Sequence, residues 1–155
     1  MIAELGLAAL WLAAALAVLQ LVAGALAVRQ DVASGEAGAE ASIADLTRPA
    51  TIVQGVFAAL SFVALLYVFA ITDLSVKLVA ENSHSLKPMI FKLSGAWGNH
   101  EGSMLLWVTV LAASGALIAM VERRLPERMM QAVLAAQGFV ALGFYAFLLL
   151  SSNPF

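Results

Sequence analysis

The residues of this 155-residue chain that could do chemistry gather in one stretch, "WGNHEGSMLLW", residues 97–107. It sets Trp97, Gly98, Asn99, His100, Glu101, Gly102 and Ser103 ahead of an apolar run that contains Met104 and Trp107. Two readings compete. In the first the stretch is a helix entrance, with Asn99 or Ser103 as the cap, Glu101 near the positive end of the helix dipole and Trp97 at a membrane interface. In the second it is a wall. A helix beginning near Asn99 places His100, Ser103, Met104 and Trp107 on one face, and a histidine flanked by indoles can border a flat aromatic ligand such as a porphyrin.

The same spacing limits the metal chemistry. Histidine and methionine are a known pair of haem axial ligands, but they approach the iron from opposite sides of the ring. His100 and Met104 are neighbours on one helix face, so the stripe fits a wall better than a ligand set. A zinc protease is excluded because Met104 stands where an HExxH motif needs its second histidine. Gly98 and Gly102 have GxxxG spacing, a weak helix-pairing signal in so polar a setting. His84 in "ENSHS" reads as a solvated loop residue. The chain has no cysteine, hence no disulfide, no thiolate ligand and no CxxCH for covalent haem attachment. No residue is assigned as catalytic or as a metal ligand.

Composition then says what must hold this stretch. With 63% hydrophobic and 12% charged residues, the chain falls in the membrane class. A net charge of -2 and the lack of a basic cluster set nucleic acid aside as a partner. Four apolar stretches, 5–28, 51–71, 103–121 and 131–150, are long enough to cross a hydrocarbon layer of about 30 Å as helices. The expected fold is therefore all-α, a polytopic bundle of four transmembrane helices with a structured loop at 72–102, and residues 1–155 form one module. A stripe of Ala9, Ala13, Ala17 and Ala25 on the first span suits close helix packing.

Lysine and arginine placement orients the bundle. Arg29, Arg48, Arg123, Arg124 and Arg128 fall on one side, against Lys77, Lys87 and Lys92 on the other. The positive-inside rule then puts both termini and the 72–102 loop outside, with the first span a retained anchor rather than a signal peptide. The first loop, "QDVASGEAGAEASIAD", is small and acidic and reads as a flexible connector. In the outer loop "DLSVKL" alternates, which predicts an extended segment with Leu74, Val76 and Leu78 on one face. "KPMIFKLSGAW" reads as a proline-started segment lying along the membrane surface, apolar side down and lysines toward headgroups.

The run 73–107, "DLSVKLVAENSHSLKPMIFKLSGAWGNHEGSMLLW", closely resembles the N-terminal quarter of CcmF, a family of membrane haem-handling proteins of c-type cytochrome biogenesis. The opening "MIAELGLAALWLA" and the closing "LLLSSNPF" are similar to the corresponding parts of that family, and a relative serving nitrite reductase maturation shares these features. The resemblance implies a multi-pass protein of the bacterial inner membrane, with the 72–102 loop in the periplasm. It also implies haem b in the full-length family, a haem chaperone, a thioreduction partner and apocytochrome c, whose CxxCH cysteines form thioether bonds to the haem vinyl groups. The family's tryptophan-rich haem segment and its ligand histidines lie beyond the part that this chain resembles, so no catalytic residue carries over. Trp97, His100 and Trp107 are assigned to a wall beside haem, while Gly98, Asn99, Glu101, Gly102 and Ser103 carry the motif without a role. His84 departs from the family's usual asparagine.

The expectation is thus the N-terminal portion of a haem lyase subunit, completed by the remainder of the same protein and not binding haem stably on its own. Two alternatives are a non-catalytic membrane assembly or docking module and a small-solute transporter subunit. The last is disfavoured because the third and fourth spans contain no charged residue between 103 and 121 or between 131 and 150.

Overall fold

The computed structural model describes residues 1–30 and 45–155; the connector expected at 30–45 lies, but for its two ends, outside the described residues. Among the described residues there are six helices and no strand: α1 (Ile2–Gln30), α2 (Thr47–Ile71), α3 (Lys77–Asn82), α4 (Met89–Gly95), α5 (His100–Val121) and α6 (Glu127–Leu150). Four of them, α1, α2, α5 and α6, are long and apolar enough to cross a membrane. Even the shortest, α5 with 22 residues, reaches across the hydrocarbon layer at 1.5 Å per residue. A backbone that satisfies its own hydrogen bonds is what an apolar chain needs in lipid. The protein is an all-α, multi-pass membrane bundle.

Each span extends past its apolar stretch into polar residues. α2 takes in Thr47 and Arg48, α5 takes in His100 and Glu101, and α6 takes in Glu127 and Arg128. Hydropathy marks the part of a helix that meets hydrocarbon, whereas the backbone ladder continues into the interface until a cap ends it.

The chain runs up and down, so one end of the bundle collects α3, α4, His100 and both termini. Phe155 lays its ring where a side chain on Gly6 would stand, which ties the C-terminal residues to α1. At the opposite end Arg48 pairs with Glu127 at 3.1 Å and donates to the Ala119 and Glu122 carbonyls at 3.2 and 3.3 Å. One guanidinium there closes the C-terminal turn of α5 and holds the first turn of α6.

α1 packs along α2 and α6, α2 packs along α5, and α5 and α6 meet less extensively. Small residues make the tight seams. Gly55 lies so close to α5 that a Cβ there would be 2.7 Å from the Ala116 side chain and 3.1 Å from the Ala112 carbonyl oxygen. In α1, Ala9, Ala13 and Ala17 are buried as the stripe predicts, but Ala25 is exposed, and Gln20 and Gly24 continue the seam. Steps of four residues overshoot a turn by about 40°, so a strict fourfold stripe rotates out of contact. Gln20 donates to the Leu134 carbonyl at 2.6 Å and to the Gln137 side chain, and Gln137 donates to the Leu111 carbonyl at 3.3 Å. This chain of amides joins α1, α6 and α5 where no water competes.

The extended segment expected from "DLSVKL" does not form. Asp73 accepts hydrogen bonds from the Ser75 backbone N–H at 3.1 Å and the Ser75 hydroxyl at 2.6 Å, making a turn, and α3 begins at Lys77. Val76, Leu78 and Val79 are buried and Leu74 is exposed. A period-2 pattern three apolar residues long is too short to resist a local side-chain-to-backbone turn.

Candidate functional site

The entrance of α5 is built from the motif itself. Asn99 has extended backbone and caps the helix, its Oδ1 accepting from the Gly102 N–H at 2.7 Å, while its Nδ2 donates to the Gly95 carbonyl at 2.6 Å. One side chain thereby fastens the start of α5 to the end of α4. Ser103 is not the cap; its hydroxyl donates to the Trp97 carbonyl at 2.6 Å. Gly102 is buried, and a Cβ on it would run into the Ala96 carbonyl oxygen. The demand for glycine is therefore local, from the turn folded over the helix start, and not from a partner helix as GxxxG spacing would have it. Glu101 lies in the first turn, where a carboxylate meets the positive helix end.

His100 is exposed at the rim of this entrance. Its ring stands edge-on to Phe147 of α6, centroids 5.5 Å apart at 76°, and its Nδ1 is 3.4 Å from the Ser152 hydroxyl. Between α5 and α6, Met104, Val140, Gly143, Phe144 and Phe147 line an apolar groove of about 260 Å3. His100 lies one turn before Met104 and touches Phe147, two residues that line the groove. Trp107 lies seven residues beyond His100 on the same face and is 64% exposed, and Trp97 is 43% exposed before the cap. The ring that His100 touches is Phe147 rather than either tryptophan. His84 is exposed in the loop between α3 and α4.

The α6 side of the groove and Ser152 were not legible from sequence. Gly143, Phe144 and Phe147 have the one-turn spacing of a helix face, but an apolar span offers many such faces, and only the pairing of α5 with α6 selects this one. The loop on the same end holds one shifted acid. The Ser75 hydroxyl, and after it the Ser75 backbone N–H, keep the Asp73 carboxyl below its ordinary range.

The family resemblance brings haem into question, and the groove tests the fit. A cavity of about 260 Å3 falls below the roughly 300–1,000 Å3 of pockets that enclose a small molecule. His100 and Met104, from one helix face, do not reach both sides of an iron porphyrin. Among the described residues no group of three or more His, Asp or Glu is placed to hold a metal. The residues present suit one edge of a macrocycle, with aromatic and thioether contacts and a single imidazole, and not a closed haem pocket.

No family model matches the chain. It is 46% identical over all its 155 residues to the cytochrome c-type biogenesis protein CycK of Rhizobium meliloti (strain 1021), of which it covers 22%. It is 43% identical, again over 155 residues and 22% of the relative, to the CycK protein of Bradyrhizobium diazoefficiens. A solved structure of the cytochrome c heme lyase CcmF superposes on the whole chain with a TM-score of 0.87 at 25% identity, the chain covering 25% of it. The chain spans about a quarter or less of the length of these relatives. Over its full length it is homologous to the N-terminal portion of the cytochrome c-type biogenesis proteins CycK and CcmF.

Proposed function

We propose that this chain serves c-type cytochrome maturation as the N-terminal module of a membrane haem lyase subunit, with residues 1–155 acting as one helical unit. Its part is to hold the α5–α6 groove, with His100 at the rim and Trp107 on the flank, as one wall of the space where haem is handled. When bound beside this wall, haem supplies the vinyl groups that become thioethers in the cytochrome. This chain's own residues contact and orient: Phe144, Phe147 and Met104 offer an apolar edge, and the His100 imidazole offers one donor or ligand atom at the mouth. The observation that carries the reading is the open groove between α5 and α6 beneath His100, in a chain similar to a heme lyase from end to end.

In this reading the groove faces the periplasm and the Arg48 end faces the cytoplasm of a bacterial inner membrane. Five arginines at the Arg48 end against three lysines at the other support it. The remainder of a longer protein closes the groove, and a haem chaperone, a thioreduction partner and apocytochrome c meet the assembled whole. The test is a chimaera in which this chain replaces the matching part of Rhizobium meliloti CycK in cells lacking that protein. Haem-stained c-type cytochromes are expected to return. A chimaera that accumulates in the membrane and matures no cytochrome contradicts the proposal.

A further inference from the structure

A second pocket lies at the His100 end, between α3 and α4, and it is polar where the groove is apolar. Asn82, Lys87, Phe91, Ser94, Gly95 and Gly98 line about 240 Å3. Lys87 donates to the Asn82 carbonyl at 2.9 Å, while the Asn82 side chain donates to the Leu78 carbonyl at 2.9 Å. The ammonium is thus fixed by one of its three N–H groups and has two left for a ligand. Lys77 lies 3.8 Å from Glu81, but among the described residues neither Lys87 nor Lys92 has a carboxylate partner. The pocket therefore offers a held, uncompensated cation and a spare amide N–H to an anion.

The surroundings say which anion. Immediately beside Lys87 the chain exposes Leu86 (90%), Met89, Ile90 (72%) and Phe91. The Gly95 backbone lies against the ring of Phe69, two residues short of the end of α2, and Asn99 ties α4 to the start of α5. Both anchors are ends of membrane spans, which holds α4 at the level where hydrocarbon gives way to headgroups. At that level apolar side chains enter the acyl region and lysines meet phosphates. A soluble anion accounts for the cation but not for the apolar tip beside it.

We propose that the pocket between α3 and α4 binds the phosphodiester of an anionic phospholipid through Lys87 and Asn82, with Leu86 and Ile90 inserted among its acyl chains. The site is independent of the haem wall, because none of its lining residues lines the groove. It would seat the α5 entrance at a fixed depth through the Asn99 link to α4.

The test uses the purified full chain and phosphatidylglycerol, followed by native mass spectrometry against phosphatidylcholine. Lys87→Gln is expected to weaken phosphatidylglycerol retention about fivefold, the order of one lysine–phosphate attraction, Lys87→Arg to retain it, and Lys92→Gln, which lies outside the pocket lining, to change it less than twofold. Equal losses from Lys87→Gln and Lys92→Gln, or Lys87→Arg behaving as Lys87→Gln, overturn the pocket. Full displacement of the lipid by inorganic phosphate overturns the lipid assignment. Because the chain lacks cysteine, Ile90→Cys can carry a single fluorophore. Its quenching by brominated lipid in phosphatidylglycerol–phosphatidylcholine vesicles is expected, and absence of quenching overturns insertion.

Discussion

At the scale of single residues, the motif 97–103 divides into a scaffold and a probe. Asn99, Gly102 and Ser103 spend their chemistry on the backbone of their own turn, and His100 and Trp97 are the side chains left exposed. Gly102→Ala forces a methyl into a carbonyl oxygen that belongs to a folded turn and cannot swing away. Destabilisation of order 3 kcal/mol is expected, the upper end for overpacked sites, read as a lower unfolding midpoint in detergent; an unchanged midpoint contradicts the contact. Asn99→Ala removes both the cap and the bond to the Gly95 carbonyl and should cost about 2 kcal/mol, roughly 1 for each. For Asp73, whose folded pKa is depressed by Ser75, stability is present above the unfolded pKa and is lost as pH falls through the folded one. Ser75→Ala should move the Asp73 carboxyl titration upward toward its ordinary value, followed by NMR of the carboxyl carbon, and no movement contradicts the turn. The helix cap was legible because Asn, Gly and an apolar run have local meaning. Ser152 beside His100 was not, because it comes from the far end of the chain, where sequence neighbours carry no information about who meets whom.

At the scale of elements, the four spans were legible because hydrocarbon imposes a length and a composition on anything that crosses it. The α3 turn was misread from three alternating residues, since periodicity over so few positions does not outweigh the hydrogen bonds of Asp73 with Ser75. The groove depends on an asymmetry of seams: Gly55 draws α2 against α5, and Gln20 reaches from α1 to α6, while α5 and α6 meet less extensively. Gln20→Leu should therefore loosen α1 from α6, costing about 1 kcal/mol, within the range for polar contacts between membrane helices. A cysteine pair placed across the α1–α6 seam would then crosslink less readily than in the parent, and unchanged crosslinking contradicts a joining role for Gln20. Arg48 carries more than a surface ion pair because it also closes the α5 carbonyls, so Arg48→Ala should lower stability more than Glu127→Gln does. Equal effects would reduce the Arg48 contribution to the ion pair alone.

At the scale of the whole molecule, the chain presents a polar-capped, grooved end and an arginine-bearing end, and the proposed function belongs to the first. The groove is too small to enclose a porphyrin and has aromatic walls on one side only. The purified chain is therefore expected to give a weak, non-saturating Soret change on titration with haem b, and tight stoichiometric binding would contradict the one-wall account. The family was legible in the residues 73–107, but the groove was not, because it is a property of how two spans pair and not of either span's composition. The most direct test of the central claim is His100→Ala in the CycK chimaera, scoring haem-stained c-type cytochromes against the amount of chimaera in the membrane. The account predicts that the variant accumulates as the parent does while mature cytochrome falls severalfold. Parent levels of cytochrome in that strain would contradict the assignment of His100 and its groove to haem handling.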